Sequence, residues 1–207
     1  MSKIEVNWSS AFAYLVGIIA TDGSLSKDGR HIDITSKDRQ LLAAIKVSLE
    51  IKNKIGRKAR GGSIDKKYFR IQLGDRSFYK FLLSIGITPA KSKTIGQLKI
   101  PVLYFNDFLR GCIDGDGSIG VTRHPESKWP QLRLRVYSAS NAFLCWLKEQ
   151  IAEIIEVQGG HFSSGKRVRV LSYGKQDSTK VLKFVYYPGA TIFLKRKYRI
   201  AQPFLRV

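Results

Sequence analysis

Acidic residues are scarce in this chain. Asp and Glu number 16 against 36 Lys and Arg in 207 residues, a formal net charge of +20. The composition is 43% hydrophobic, enough to bury a real core. So large a positive surplus on a folding chain points to a polyanion, nucleic acid first. A basic protein with no particular partner is the bland alternative, and a membrane-surface role lacks the strongly basic amphipathic helix it needs. Cysteine is rarer still. Cys112 and Cys145 are too few for a disulfide framework, and Cys112 lies in an apolar run where it reads as a small core residue. The three histidines, His31, His124 and His161, stand far apart without metal-ligand spacing, which argues against zinc. Long hydrophobic runs are missing too. The apolar stretch 11–20 is too short to span a bilayer, and no small-residue cleavage site follows it. The expectation is an intracellular protein that neither crosses nor coats a membrane.

One short pattern is present twice. Residues 15–23 read LVGIIATDG and residues 109–117 read LRGCIDGDG. Each is an apolar, helix-like run closing on an aspartate and a glycine. The C-terminal end of a helix carries partial negative charge, so Asp22 and Asp116 are electrostatically misplaced. A glycine cap explains Gly23 and Gly117 but leaves the two acids unexplained. Two such carboxylates, brought together, repel unless neutralised. Mg²⁺ is the expected partner, since it takes oxygen ligands and keeps waters and phosphate oxygens; Mn²⁺ or Ca²⁺ can occupy the same site. Thr21 and Gly115, next to the acids, are further candidates at that metal site. Ions held between carboxylates and a phosphate favour phosphodiester hydrolysis.

The repeat extends past the motifs. After Gly23 the pattern predicts a turn over 24–29, a strand over 30–35, a helix over 40–51, strands over 55–60 and 68–73, and a helix over 77–85. The second half predicts a helix ending at Asp116, a strand over 131–137, a helix over 142–156, strands over 161–162 and 167–172, and a helix over 178–186. The fold class is α/β (α+β), two pseudo-symmetric αββαββα halves. Their boundaries fall at 1–98, a linker at 99–103 where Pro101 marks a break, and 104–207. Ala13, Gly17 and Thr21 recur every four residues, as do Gly111 and Gly115, so the motif helices can approach closely on a pseudo-twofold axis.

The strands alternate apolar residues with Arg, Gln or Tyr: Arg70 and Gln72; Arg133, Arg135 and Tyr137; Arg167 and Arg169. Arg and Gln match guanine and adenine edges, and a β-ribbon fits the major groove. Any one such strand reads equally as a solvated charged face; three in so basic a chain favour DNA. Arg30, Ser36, Arg57 and Arg60 join the candidate DNA contacts.

Residues 15–23 and 109–117 resemble the two signature motifs of monomeric LAGLIDADG homing endonucleases, and the repeat extends that resemblance over nearly the whole chain. The resemblance implies a saddle of two four-stranded antiparallel sheets in the DNA major groove. It implies that Asp22 and Asp116 bind the catalytic ions, and that both strands are cut across the minor groove with short 3′ overhangs. Ser36 and Lys37, in Thr35-Ser36-Lys37, resemble the family's polar and basic groups near the metal; the second half has Tyr137-Ser138-Ala139 there, without the lysine. Lys91 and Lys197 resemble the basic residue late in each half, with Lys93 and Lys195 close by; a plain phosphate contact is the equal alternative for each. The sixth motif position is Asp114 in one half and Ala20 in the other, and it reads as structural. An RNA maturase acting on intron RNA and a non-cleaving DNA-binding regulator are the competing readings. Without splice residues at its ends, the chain is expected to be free-standing and monomeric.

Overall fold

The computed structural model describes residues 4–59, 67–123 and 129–205. Two helices that end on aspartate form its centre. Helix α1 (Ser10–Asp22) starts at Ser9, whose hydroxyl accepts from the Phe12 amide at 3.2 Å. All nine residues from Phe12 to Ala20 are buried, as befits a helix that is apolar all round. Its counterpart α4 (Phe105–Asp116) follows the single 3₁₀ turn Val102–Tyr104 after Pro101.

The two helices touch through backbone. A methyl group built at Gly17 would lie 3.0 Å from the Gly111 Cα, and one built at Gly111 would lie 3.0 Å from the Gly17 Cα. Carbonyls of Phe108 and Tyr14 stand closer still. The small-residue spacing therefore does what it promised. Gly23 and Gly117, however, are not left-handed caps. Their φ angles are −85° and −97°, in extended backbone. Glycine is required for space, because a Cβ would lie 2.6 Å from the Ile19 Cα and 2.8 Å from the Ile113 Cα.

Each helix runs straight into an antiparallel sheet. The first sheet has the order β1-β2-β4-β3, from β1 (Gly23–Leu25), β2 (His31–Ser36), β3 (Ile55–Lys58) and β4 (Tyr68–Gly74). The second repeats it as β5-β6-β8-β7, from β5 (Gly117–Thr122), β6 (Gln131–Ser138), β7 (His161–Gly165) and β8 (Val168–Tyr173). Helices α2 (Arg39–Ser48) and α3 (Arg76–Ser84) accompany the first; α5 (Asn141–Ile155), α6 (Lys175–Val185) and α7 (Lys195–Ala201) accompany the second. The mixed α and β class and the two four-stranded sheets agree with expectation.

Three elements differ from it. Ser24 and Leu25, expected in a turn, join Gly23 in pairing with Ile32–Ile34 as β1. Strand β5 was also unexpected; both it and β1 start on glycine, and neither offers a long two-residue alternation to read. Helix α7 was hidden by its basic composition, four of its seven residues being cationic.

A buried ion pair anchors the segment leading to α7. Arg110 in α4 contacts Asp107 at 2.6 Å and donates to the carbonyls of Ile192 at 2.8 Å and Val185 at 2.9 Å. The Tyr187 hydroxyl joins Asp107 at 3.1 Å. Removing one partner of such a pair would strand a buried charge. Among the described residues, no helix is long and apolar enough to cross a membrane.

Alanine at Gly111 should push the motif helices apart. The expected loss is about 1–3 kcal/mol, the scale of an overpacked core, and the melting temperature should fall by about 2–4 °C for each kcal/mol. An unchanged thermal melt by circular dichroism would contradict the close backbone contact.

Candidate active site and nucleic-acid interface

Both acids end up at one end of the helix pair. The Asp22 Oδ2 atom lies 3.6 Å from where a Cβ on Gly115 would sit, one residue from Asp116. Asp22 and Asp116 line a single cavity of about 460 Å³ together with Lys91, Thr35, Tyr137 and Ser138. Asp22 also lines a second cavity of about 520 Å³ with Ser36, Lys37, Gly115 and Arg196. The ends of β2 and β6 therefore meet the ends of α1 and α4. The Thr21 hydroxyl packs against Gly115 and donates back to the Gly17 carbonyl at 3.0 Å.

Two buried lysines cap these helix ends. The Lys91 ammonium donates to the Gly23 carbonyl at 2.6 Å. The Lys197 ammonium donates to the carbonyls of Ile113 at 2.6 Å and Asp114 at 2.8 Å. A cation is what the negative end of a helix favours, and here it offsets the misplaced acid beside it. Burial pushes both ammonium groups down to about 8, against the upward pull of Asp116 and Asp22 on Lys91 and of Asp114, Asp22 and Asp116 on Lys197. Lys93 and Lys195 are exposed, so burial singles out Lys91 and Lys197 where spacing alone could not. Lys37 is exposed at the rim of the second cavity, its Nζ 5.4 Å from the Tyr68 ring centroid.

Asp114, the other motif acid, is buried. Its Oδ2 accepts from the Tyr14 hydroxyl of α1 at 2.8 Å and the Leu194 amide at 2.7 Å. Burial raises its carboxyl above the ordinary carboxylate value. Ala20, at the matching position, makes no such tie.

The open faces of the sheets follow from register. Asp33 faces Gln72, Thr35 faces Arg70 and Lys58 faces Tyr68 across the first sheet, opposite the buried Ile32, Ile34, Ile71 and Leu73. In the second sheet Arg133, Arg135 and Tyr137 share their face with Ser118, Gly120 and Val170, and Val168 lines the cavity beside Tyr137. Arg70, Gln72, Arg133, Arg135 and Tyr137 thus sit on the faces adjoining the acids. Ser36 sits at the end of β2, its hydroxyl accepting from the Asp38 amide at 3.0 Å, while Arg30 lies at the far end of the same strand.

Three expected contacts are placed elsewhere. Arg57 is opposite Phe69 on the helix-packed side, its guanidinium 5.8 Å from that ring. Arg169 is opposite Ser138 and Ser164, stacks 4.8 Å from Phe162 and donates to Asn141 at the start of α5. Arg167, at φ +64°, belongs to the β7–β8 turn. The reason is that β8 has apolar residues on both faces. Leu171 and Tyr173 take the inner one, which turns Val168 and Val170 outward and reverses the expected phase. Arg60 lies outside the described residues. Lys58 and Asp33, on the open face, were missed because neither fits a run of alternating Arg and Gln.

Residues 9–86 match the family model described as LAGLIDADG-like domain. This is a LAGLIDADG-fold protein. It is similar to the homing endonuclease I-WcaI bound to its DNA recognition sequence, with TM-score 0.64 and 12% identity over 94% of this chain and 88% of that one. It is similar to I-DmoI in complex with DNA and Mn, with TM-score 0.56 and 18% identity over 88% and 99%. The N-terminal LAGLIDADG domain of DUF199/WhiA gives TM-score 0.56 and 16% identity over 92% and 86%. No curated protein matches the sequence. At these identities the structural likeness carries the fold alone. It reaches the second half of the chain as well, whose sheet order and motif helix repeat those of the first.

In this LAGLIDADG fold the buried lysines make stability rise with alkaline pH. Each titrates at about 8 when folded and near its ordinary 10.5 when unfolded. Between those values the unfolded chain holds more protons, so raising the pH favours the folded state. Denaturant unfolding in EDTA should show stability increasing from about pH 8 to pH 9.5, opposed in part by the Cys112 thiol, which burial pushes up. Lys91→Met or Lys197→Met should each flatten that slope, and an unaltered slope in both would refute the burial argument.

Proposed function

We propose that this chain is a site-specific double-strand DNA endonuclease that hydrolyses phosphodiesters with divalent metal ions and leaves short 3′ overhangs. The observation that carries this reading is the pair Asp22 and Asp116 lining one cavity beside Lys91, on a chain of net charge +20. A single chain with two pseudo-symmetric halves, 1–98 and 104–207, would serve both half-sites as a monomer.

The residues fit Mg²⁺. Among the described residues no group of three or more His, Cys, Asp or Glu could hold a metal. Mg²⁺ needs less, since one or two carboxylates suffice when phosphate oxygens and waters complete its shell. Asp22 and Asp116 would hold it, with backbone oxygens of Thr21 and Gly115 as further donors; Mn²⁺ or Ca²⁺ would fit the same oxygen set. A bound ion would supply an activated water and stabilise the leaving oxygen. Lys91, which lines the cavity of the two acids, would face the charge developing on the phosphate, and Lys197, on the carbonyls of Ile113 and Asp114, would act through the helix end it caps. Exposed Lys37 and Ser36 at the cavity rim would contact the backbone beside it.

The sheets would supply recognition. Arg70 and Gln72 on one open face, and Arg133, Arg135 and Tyr137 on the other, would meet base edges in the major groove. The likeness to structures of homing endonucleases with DNA supports that placement. The second reading is a DNA-binding protein of this fold that does not cut.

Selection of cleaved sites from a randomised duplex library with Mg²⁺ decides between them. Asp22→Asn or Asp116→Asn should lower double-strand cleavage by at least about 100-fold, the scale of losing a group aimed at transition-state charge, while duplex binding persists. Full cleavage by either variant would overturn the assignment of the acids. Affinity should also fall steeply with salt, linearly in log–log form, as cations on the protein displace phosphate counterions. A flat response by fluorescence anisotropy would speak against a phosphate-tracking saddle.

A further inference from the structure

A lone acid stands on the basic open face. Asp33 is the only Asp or Glu among the described strands of either sheet. Its carboxylate is mostly covered, with 16% of the side chain exposed, and its Oδ2 lies 3.3 Å from both the Arg70 Nη1 and the Lys58 Nζ. Oδ1 is buried and makes no hydrogen bond. Asp33 sits directly across from Gln72, and Arg70 across from Thr35, so acid and guanidinium share one face at a diagonal.

Among the described residues the second half has nothing comparable. Ile34 pairs with Gly23 as Val136 pairs with Gly117, which makes Arg135 the counterpart of Asp33 and Val170 that of Arg70. An acid in the middle of a surface meant only to attract phosphate would be counterproductive. It makes sense if it holds a cation for another purpose. Arg70 is 39% exposed, so its guanidinium is tethered at one nitrogen without being buried. A guanidinium has five donors in a rigid fork, and one bond to Asp33 leaves donors for another acceptor pair. Guanine O6 and N7 are the base-edge acceptors that such a fork matches. Fixing the side chain beforehand also lowers the entropy lost on binding.

We infer that Arg70, held by Asp33, reads a guanine in the half-site under the first sheet, and that Asp33 is the positioning residue that makes this arginine selective. The half-site under the second sheet, with Arg133 and Arg135 facing no strand acid, depends more on phosphate contact. This rests on the duplex-DNA reading above but not on cleavage.

The test is selection by binding, in EDTA, from a randomised duplex library, comparing the unaltered chain with Asp33→Asn and Arg70→Lys. The unaltered chain should show a strong guanine preference at one position of one half-site. Asp33→Asn should weaken it at least about fivefold, at that position alone, the lower end of what a bidentate base contact discriminates. Random duplex should bind Asp33→Asn at least as tightly, because a carboxylate leaves the phosphate-facing surface. Arg70→Lys keeps the charge, lacks the fork and should lose the same preference; the double variant should lose no more than either alone. An unchanged guanine preference in both variants overturns the inference, as does a uniform loss across all positions, the mark of a merely structural acid. If the unaltered chain binds no duplex, the DNA reading itself fails and the inference with it. Duplex binding without cleavage would sink only the endonuclease proposal.

Discussion

Everything at the candidate site depends on two helix backbones lying in contact. Gly17 and Gly111 are mutual neighbours, each leaving room for the other's main chain. With any side chain there, the helices would separate and Asp22 and Asp116 would no longer share a cavity. Close packing of this kind is not driven by hydrophobic bulk. It is permitted by its local absence, and the apolar residues around it supply the burial that holds the pair shut.

That geometry creates an electrostatic problem, and the fold answers it from within. Two helices present the negative ends of their dipoles together, each with a carboxylate added. Lys91 and Lys197 come from segments remote in sequence and place buried ammonium groups on the terminal carbonyls. The segments that deliver them are themselves fastened. The Arg110–Asp107 pair and the Leu194 amide on Asp114 secure the approach to α7. Structural ties and candidate chemistry are therefore interleaved along one helix, with Arg110, Asp114 and Asp116 only a turn or so apart.

Much of this was legible in the chain. The doubled motif, the small-residue spacing and the period of β2, β4 and β6 located the helix pair and two open faces. What stayed hidden has physical causes. A strand with apolar residues on both sides, such as β8, has no phase that alternation can fix, and Arg169 was assigned to the wrong face for that reason. Strand β1 is too short to show a period. Arg110 reads as one more cation until the surrounding carbonyls are seen. Lys91 could not be told from Lys93 by spacing; burial separates them. Asp33 carries no signal of its own in the sequence, since it is simply the polar residue between Ile32 and Ile34 in an alternating strand.

The hydrogen bond from Tyr14 to Asp114 joins the two halves, and their sequences have diverged around it. The counterparts of these residues are Phe108 and Ala20, by the alignment of Gly17 with Gly111. A dimer of two N-terminal halves would set Tyr14 against alanine and strand a buried hydroxyl. A dimer of two C-terminal halves would set Asp114 against phenylalanine and leave that buried acid with the Leu194 amide alone. Each carries a cost of about 1–3 kcal/mol or more. Within the pseudo-symmetry of the repeated topology this bond is thus a lock that neither half can turn with a copy of itself.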